Sequence, residues 1–157
     1  MLALADITEQ KTPLFDLEAG EFVMDARNRV VCVTGGEGVL MIAMKALKTV
    51  RGIFLIYADL EDEELDHVYG SDVELIMQED LTEEARLSEM ERAISESLIY
   101  DPWVTDVTNL VLKRRGGPGQ YGEDADHLAP DEVEISMTIK TIFDQDVQLE
   151  GMIMEYV

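Results

Sequence analysis

Three groups of residues in this chain have types and spacing that chemistry could use. Gly36-Glu37-Gly38 follows an apolar run and precedes a helix-like segment, as in a dinucleotide-binding turn whose backbone N–H groups cradle a pyrophosphate. The G-x-G-x-x-G pattern needs a third glycine at position 41, and Met41 stands there. Helix-start chemistry accounts better for these glycines. Asp124, Asp126 and His127 have metal-ligand side chains. Their glycine-rich surroundings offer no scaffold to orient ligands, so they read as a solvated acidic loop tip. The acidic residues from Asp59 to Glu64 lack the EF-hand frame. Glu91 and Asp101 are the carboxylates to test for acid/base hydrolysis, which needs one raised and one ordinary carboxyl facing each other across a cleft. Among 34 acidic residues some such pair is inevitable. No serine lies in a G-x-S-x-G elbow. The single cysteine, Cys32, can form neither an intramolecular disulfide nor a cysteine-based zinc site. Within Val30-Val31-Cys32-Val33 it reads as a small buried hydrophobe. The expectation is a non-enzymatic chain with no cofactor and no metal.

Charge narrows the partners. Lys plus Arg total 12 against the 34 acids, a formal net charge of -22. Such a surface repels the phosphates of nucleic acid and anionic membranes alike. It favours solubility and partners with basic faces. The length, 157 residues with 46% hydrophobic, suits one domain with a true core. Met1-Leu2-Ala3-Leu4-Ala5-Asp6 lacks the basic start and the apolar length of a signal peptide. The run Val39 to Met44 falls far short of a membrane span. The chain is expected to stay in the cytosol of the producing cell.

The positioning elements follow from periodicity. Residues 1–13 read as a flexible N-terminal arm closed by Pro13, leaving 14–157 as a single domain. Phe22-Val23-Met24 and Val30-Val31-Cys32-Val33 form a hairpin around Asp25-Ala26-Arg27-Asn28, whose Asp and Asn suit a turn. Thr34-Gly35-Gly36-Glu37 has capping-box spacing, and a helix over 37–49 follows. Leu40, Ala43, Met44 and Leu47 share one face, and Val39, Met41 and Ile42 make it apolar nearly all round, the mark of a buried helix. Ile53-Phe54-Leu55-Ile56-Tyr57 is a strand or an extended connector, and 61–66 is an acidic run. Ser71-Asp72-Val73-Glu74 is a second capping box before a short helix over 72–78. Thr82 caps the main helix. Glu83 and Glu84 suit its positive end, and Leu87, Met90, Ile94 and Leu98 form its apolar stripe. Pro102 stops it near Ile99 or Tyr100.

The last third changes period. Residues 107–113 read as a strand and 115–130 as a loop. From Glu132 to Lys140 the sequence alternates strictly: Val133, Ile135, Met137 and Ile139 face one way, charged and hydroxyl residues the other. That describes an antiparallel strand with one wet face. A turn at Asp144-Gln145-Asp146 leads to a strand over 147–154, where Met152 and Met154 suit either core or an adaptable contact surface. The predicted class is α+β, with an N-terminal β-hairpin, a helical middle and a C-terminal antiparallel sheet.

Taken in order, these segments resemble the baseplate sheath-initiator family of contractile phage tails, tailocins and defective prophages of Gram-positive bacteria. Three stretches between Phe15 and Val147 carry the resemblance. The first is Phe15-Asp16-Leu17-Glu18-Ala19-Gly20-Glu21-Phe22-Val23, with Val30-Val31 and Thr34-Gly35. The second is Lys45-Ala46-Leu47-Lys48-Thr49, with Leu55-Ile56-Tyr57 and Tyr69-Gly70-Ser71. The third runs from Glu91-Arg92 through Ala93-Ile94 and Leu98 to Tyr100-Asp101-Pro102-Trp103-Val104. The family's long helix ends in Glu-Pro-Arg; here the matching positions are Asp101-Pro102-Trp103, without the arginine. The loop over 115–130 is longer than the family's.

The resemblance implies a fold like the handshake domain of sheath subunits, with sheet edges to which arms of the first sheath ring add strands. It implies sheath protein, baseplate wedge proteins and a tail tube or tube-initiator protein as partners. It also implies six copies per baseplate, in the virion or tailocin baseplate and, during assembly, in the host cytoplasm. The expected sheath-facing edges are 132–142 and 147–154, with Val133, Ile135, Met137, Ile139, Val147, Leu149 and Ile153. Glu91, Asp101, Pro102 and Trp103 are expected to face wedge and tube proteins. Two rival readings stay open, a baseplate-associated peptidoglycan hydrolase using Glu91 and Asp101, and a soluble adaptor on a similar fold.

Overall fold

The structure, a computed structural model, describes residues 10–51 and 70–155. It is α+β: short N-terminal strand pairs, helices in the middle and a C-terminal three-stranded antiparallel sheet.

The N-terminal ribbon has four two-residue strands, β1 (Thr12–Pro13), β2 (Phe15–Asp16), β3 (Glu21–Phe22) and β4 (Cys32–Val33), paired β1 with β4 and β2 with β3. Leu14 links the pairs: its N–H donates to the Val31 carbonyl, and its own carbonyl accepts from Val23 N–H. The expected hairpin is present as the Met24–Val30 bridge. Its turn is held by the Asp25 carboxylate, which accepts from the backbone N–H of Arg27 and Arg29. The Arg29 backbone bond is the main reason this carboxyl titrates below its ordinary range. Asn28 supplies the left-handed residue, with φ 60°.

Two expectations change here. Thr12 and Pro13, assigned to the arm, are paired with Val33 and Cys32; residues 1–9 lie outside the described residues. Cys32 is exposed, not buried. Its apolar run belongs to a thin ribbon that, among the described residues, has no second layer over that side, and Val30 is exposed there too.

Helix α1 (Gly35–Lys48) is buried on most sides, as its composition requires. Neither predicted capping box forms. The Thr34 hydroxyl donates to the Gln10 carbonyl, tying helix to ribbon, and makes no cap. The buried Ser71 hydroxyl donates to the Leu47 carbonyl, while Asp72 precedes helix α2 (Val73–Gln78) without capping it. Each hydroxyl serves a tertiary bond instead of the local one. The third cap holds: Thr82 accepts from Ala85 N–H at the start of α3 (Glu83–Ile99).

The predicted 53–57 segment and the 61–66 acidic run lie outside the described residues. Their flanks meet in a parallel bridge between Val50 and Ser71, locked by the Arg51–Asp72 ion pair at 3.0 Å.

The sheet contains β5 (Val104–Lys113), β6 (Glu132–Thr141) and β7 (Val147–Glu155), in the order β5-β6-β7. Helices α1 and α3 cover one face, α3 over β5 and α1 over β7. The α3 stripe Leu87, Met90, Ile94 and Leu98 and the β6 row Val133, Ile135, Met137 and Ile139 are all buried in this one core. Met152 and Met154 join it, because the irregularity around Gly151, with φ 64°, restores the inward phase of β7.

The sheet order corrects the edge expectation. β6 is the central strand, hydrogen-bonded on both sides, so 132–142 cannot offer an open edge. Trp103 is corrected as well. It is buried, with its ring edge-to-face on Phe143 at 5.7 Å and across α1 at Gly38. A Cβ on Gly38 would stand 2.8 Å from that ring, so the ring's position explains this glycine.

Ile94 is fully buried, whereas Ile99, five residues on and so on another face, is 51% exposed. Ile94→Ala is therefore expected to cost about 2–5 kcal/mol in urea unfolding, and Ile99→Ala within about 0.5 kcal/mol. Equal costs would contradict the assigned helix face.

Candidate functional site

Two strands border the sheet. β5 is a broken edge: its register shifts at Val104/Asp106 and at Thr108/Val111, and Asn109 adopts φ 52°. Such bulges discourage a further strand. The loop after β5 also returns onto it, with Arg114 N–H donating to the Tyr121 carbonyl. β7 has one irregularity over nine residues. Among the described residues, no backbone bond links β7 to any segment other than β6.

Beside β7 runs an open groove of about 860 Å3. Leu40, Met44 and Lys48 of α1 form one wall, residues 148–153 and Glu155 the other, and Leu17 and Glu18 of the ribbon close an end. Leu40 and Met44 are half-buried against the core, leaving apolar surface over the strand edge. The ribbon is held in place by Lys45, whose ammonium donates to the Thr12 hydroxyl and the Pro13 carbonyl. Burial there lowers the Lys45 pKa. An unpaired strand edge beside an apolar wall can accept an extended peptide: backbone bonds supply affinity and alternate side chains supply register.

The predicted site residues divide. Val133, Ile135, Met137, Ile139, Val147 and Leu149 are buried within the chain's own core, so their side chains cannot meet a partner. On β7 only the backbone is available, together with the outward side chains. Ile153, 40% exposed, is one of these and lines the groove. The groove wall on α1 escaped the sequence reading. Its signal was the four-residue spacing of Leu40, Met44 and Lys48 on a helix with more apolar surface than one core contact needs.

Glu91 and Asp101 are not brought together. Glu91 lies in a depression with Leu110, Leu112 and Tyr121. Tyr121's phenol is pushed up first by burial and next by the Glu91 carboxylate. Asp101 lines a different cavity of about 240 Å3 with Ile42, Ala46, Leu98 and Pro102. Its Oδ1 accepts from Trp103 N–H at 2.9 Å, an Asx turn that redirects the chain from α3 into β5. Burial raises the Asp101 pKa, and the Trp103 N–H bond partly offsets this.

In the 115–130 loop, Asp124, Asp126 and His127 are exposed, as expected. Ala125 and Leu128 between and beside them are buried, however, and His127 Nε2 lies 3.1 Å from Glu134 Oε1. The loop is therefore tethered at this point. Among the described residues no cluster of His, Cys, Asp or Glu could hold a metal ion, and no helix is long and apolar enough to cross a membrane. No family model matches the chain, and no curated protein matches it.

The raised Asp101 carboxyl has a signed consequence. Below the ordinary carboxyl range both folded and unfolded chains carry the proton; as pH rises through the folded value, the folded chain must ionise a half-buried group and loses stability. Asp101→Asn keeps the Asx acceptor and removes this charge. In urea melts its stability relative to the parent chain is expected to improve between about pH 3 and about pH 7. A difference independent of pH would contradict the burial of this carboxylate.

Proposed function

We propose that this chain is a structural baseplate protein of a contractile tail, phage or tailocin, which nucleates sheath polymerisation by offering the β7 edge to the first sheath ring. The observation that carries the reading is the β7 edge, open among the described residues, beside the Leu40–Met44 wall. The family resemblance supplies the partner class. Six copies would surround the tail axis, in the virion or tailocin baseplate, after assembly in the host cytoplasm. Wedge proteins and the tail tube or tube-initiator protein would meet the surfaces around Glu91 and around Asp101-Pro102, where Ile99 and Tyr100 are also exposed. A hydrolase using Glu91 and Asp101 would need them across one cleft, and they line separate cavities.

Removing β7 is a poor test, because Val147, Leu149, Met152 and Met154 belong to the core. Leu40→Gln/Met44→Gln changes the groove wall at half-buried positions, where the cost to folding is small compared with a buried site. Tails assembled with this variant are expected to carry baseplate and tube without polymerised sheath, while the isolated variant still unfolds cooperatively. Full-length sheath on a folded variant would overturn the proposal.

A further inference from the structure

The groove's charge is lopsided. Glu18, Glu132, Glu150 and Glu155 line it, with Lys48 as the one cation among its described lining residues. Glu132 is partly engaged, its Oε2 accepting from Ala129 N–H. Glu18, Glu150 and Glu155 are exposed. A strand added to β7 would extend the sheet. Alternate residues would turn inward over Leu40 and Met44, and the rest outward beside Glu150 and Glu155. Directly opposed side chains on paired strands approach to about 5 Å, where opposite charges help and like charges repel. The whole chain, at -22, adds attraction of the same sign at longer range. A second copy of this chain pairing through β7 would bring more carboxylates to a groove already lined by four and is disfavoured.

We propose that the occupant of this edge is a basic strand of another protein, with apolar residues at every second position and Lys or Arg between them. The inference rests on reading β7 as a docking edge and adds the chemistry of what docks.

The test uses the full chain and three labelled nine-residue peptides matching β7 in length: alternating Val/Lys, alternating Val/Glu, and a Val/Lys peptide of the same composition with its lysines in one block. Fluorescence anisotropy should show saturable binding of the alternating Val/Lys peptide alone. Glu150→Lys/Glu155→Lys should weaken it about three- to tenfold, as expected for two partly screened charge contacts. The same charge change on the exposed loop, Glu123→Lys/Asp126→Lys, should have a smaller effect. Equal binding of the Val/Lys and Val/Glu alternating peptides would overturn the basic-strand inference and leave the docking edge standing. Equal binding of the blocked peptide, or equal loss in both double variants, would reduce the attraction to bulk charge and overturn the inference too. Binding of neither alternating peptide would overturn both it and the edge.

Discussion

The apolar row Val133–Ile135–Met137–Ile139 can be covered from one side only, and the rest of the molecule is arranged around covering it. Four side chains at a two-residue period define a face, and the α3 stripe joins them in one core. Helix α1 lies over β7 and α3 over β5, and β6 sits between those strands in the middle of the sheet. Both its backbone sides are then used, and backbone pairing with a neighbour is left to the borders. One border is broken by two register shifts. The other, β7, is more regular and stands beside a half-buried helix wall.

Much of this was legible in the residues. The strict alternation of Glu132 to Lys140 gave the face, and the spacing of Leu87, Met90, Ile94 and Leu98 gave the helix that shares its core. Pro102 and Thr82 set that helix's ends because one cannot continue a helix and the other can cap it. Strand order was not legible, since alternation says which way side chains point and nothing about which neighbours a strand has. The edge assigned to 132–142 failed for that reason. Cys32 failed for a related one: an apolar run marks a core only where a second layer covers it, and Cys32, on a two-residue ribbon strand, is exposed.

The capping boxes show the same limit at shorter range. Thr34 has Glu37 three residues on, as a capping box requires, and Thr82 has Ala85 there, yet only Thr82 caps. Gln10 offers Thr34 a partner from a distant segment, and no sequence window contains that information. Trp103, which the resemblance sets against an arginine, packs on Gly38 and Phe143 and belongs to the core. The candidate groove was half visible: β7 was expected as an edge, whereas its partner wall on α1 was hidden by a helix apolar on almost every side.

Hydrogen–deuterium exchange resolved by residue tests the central claim most directly, on the isolated full chain and after addition of a sheath protein, the partner class proposed for it. A docking edge requires β7 amides to exchange faster than those of β6 in the isolated chain, and to slow when sheath protein binds, with β5 unchanged. β7 amides already as protected as β6 in isolation, or unaltered by a sheath protein that does bind, would contradict it.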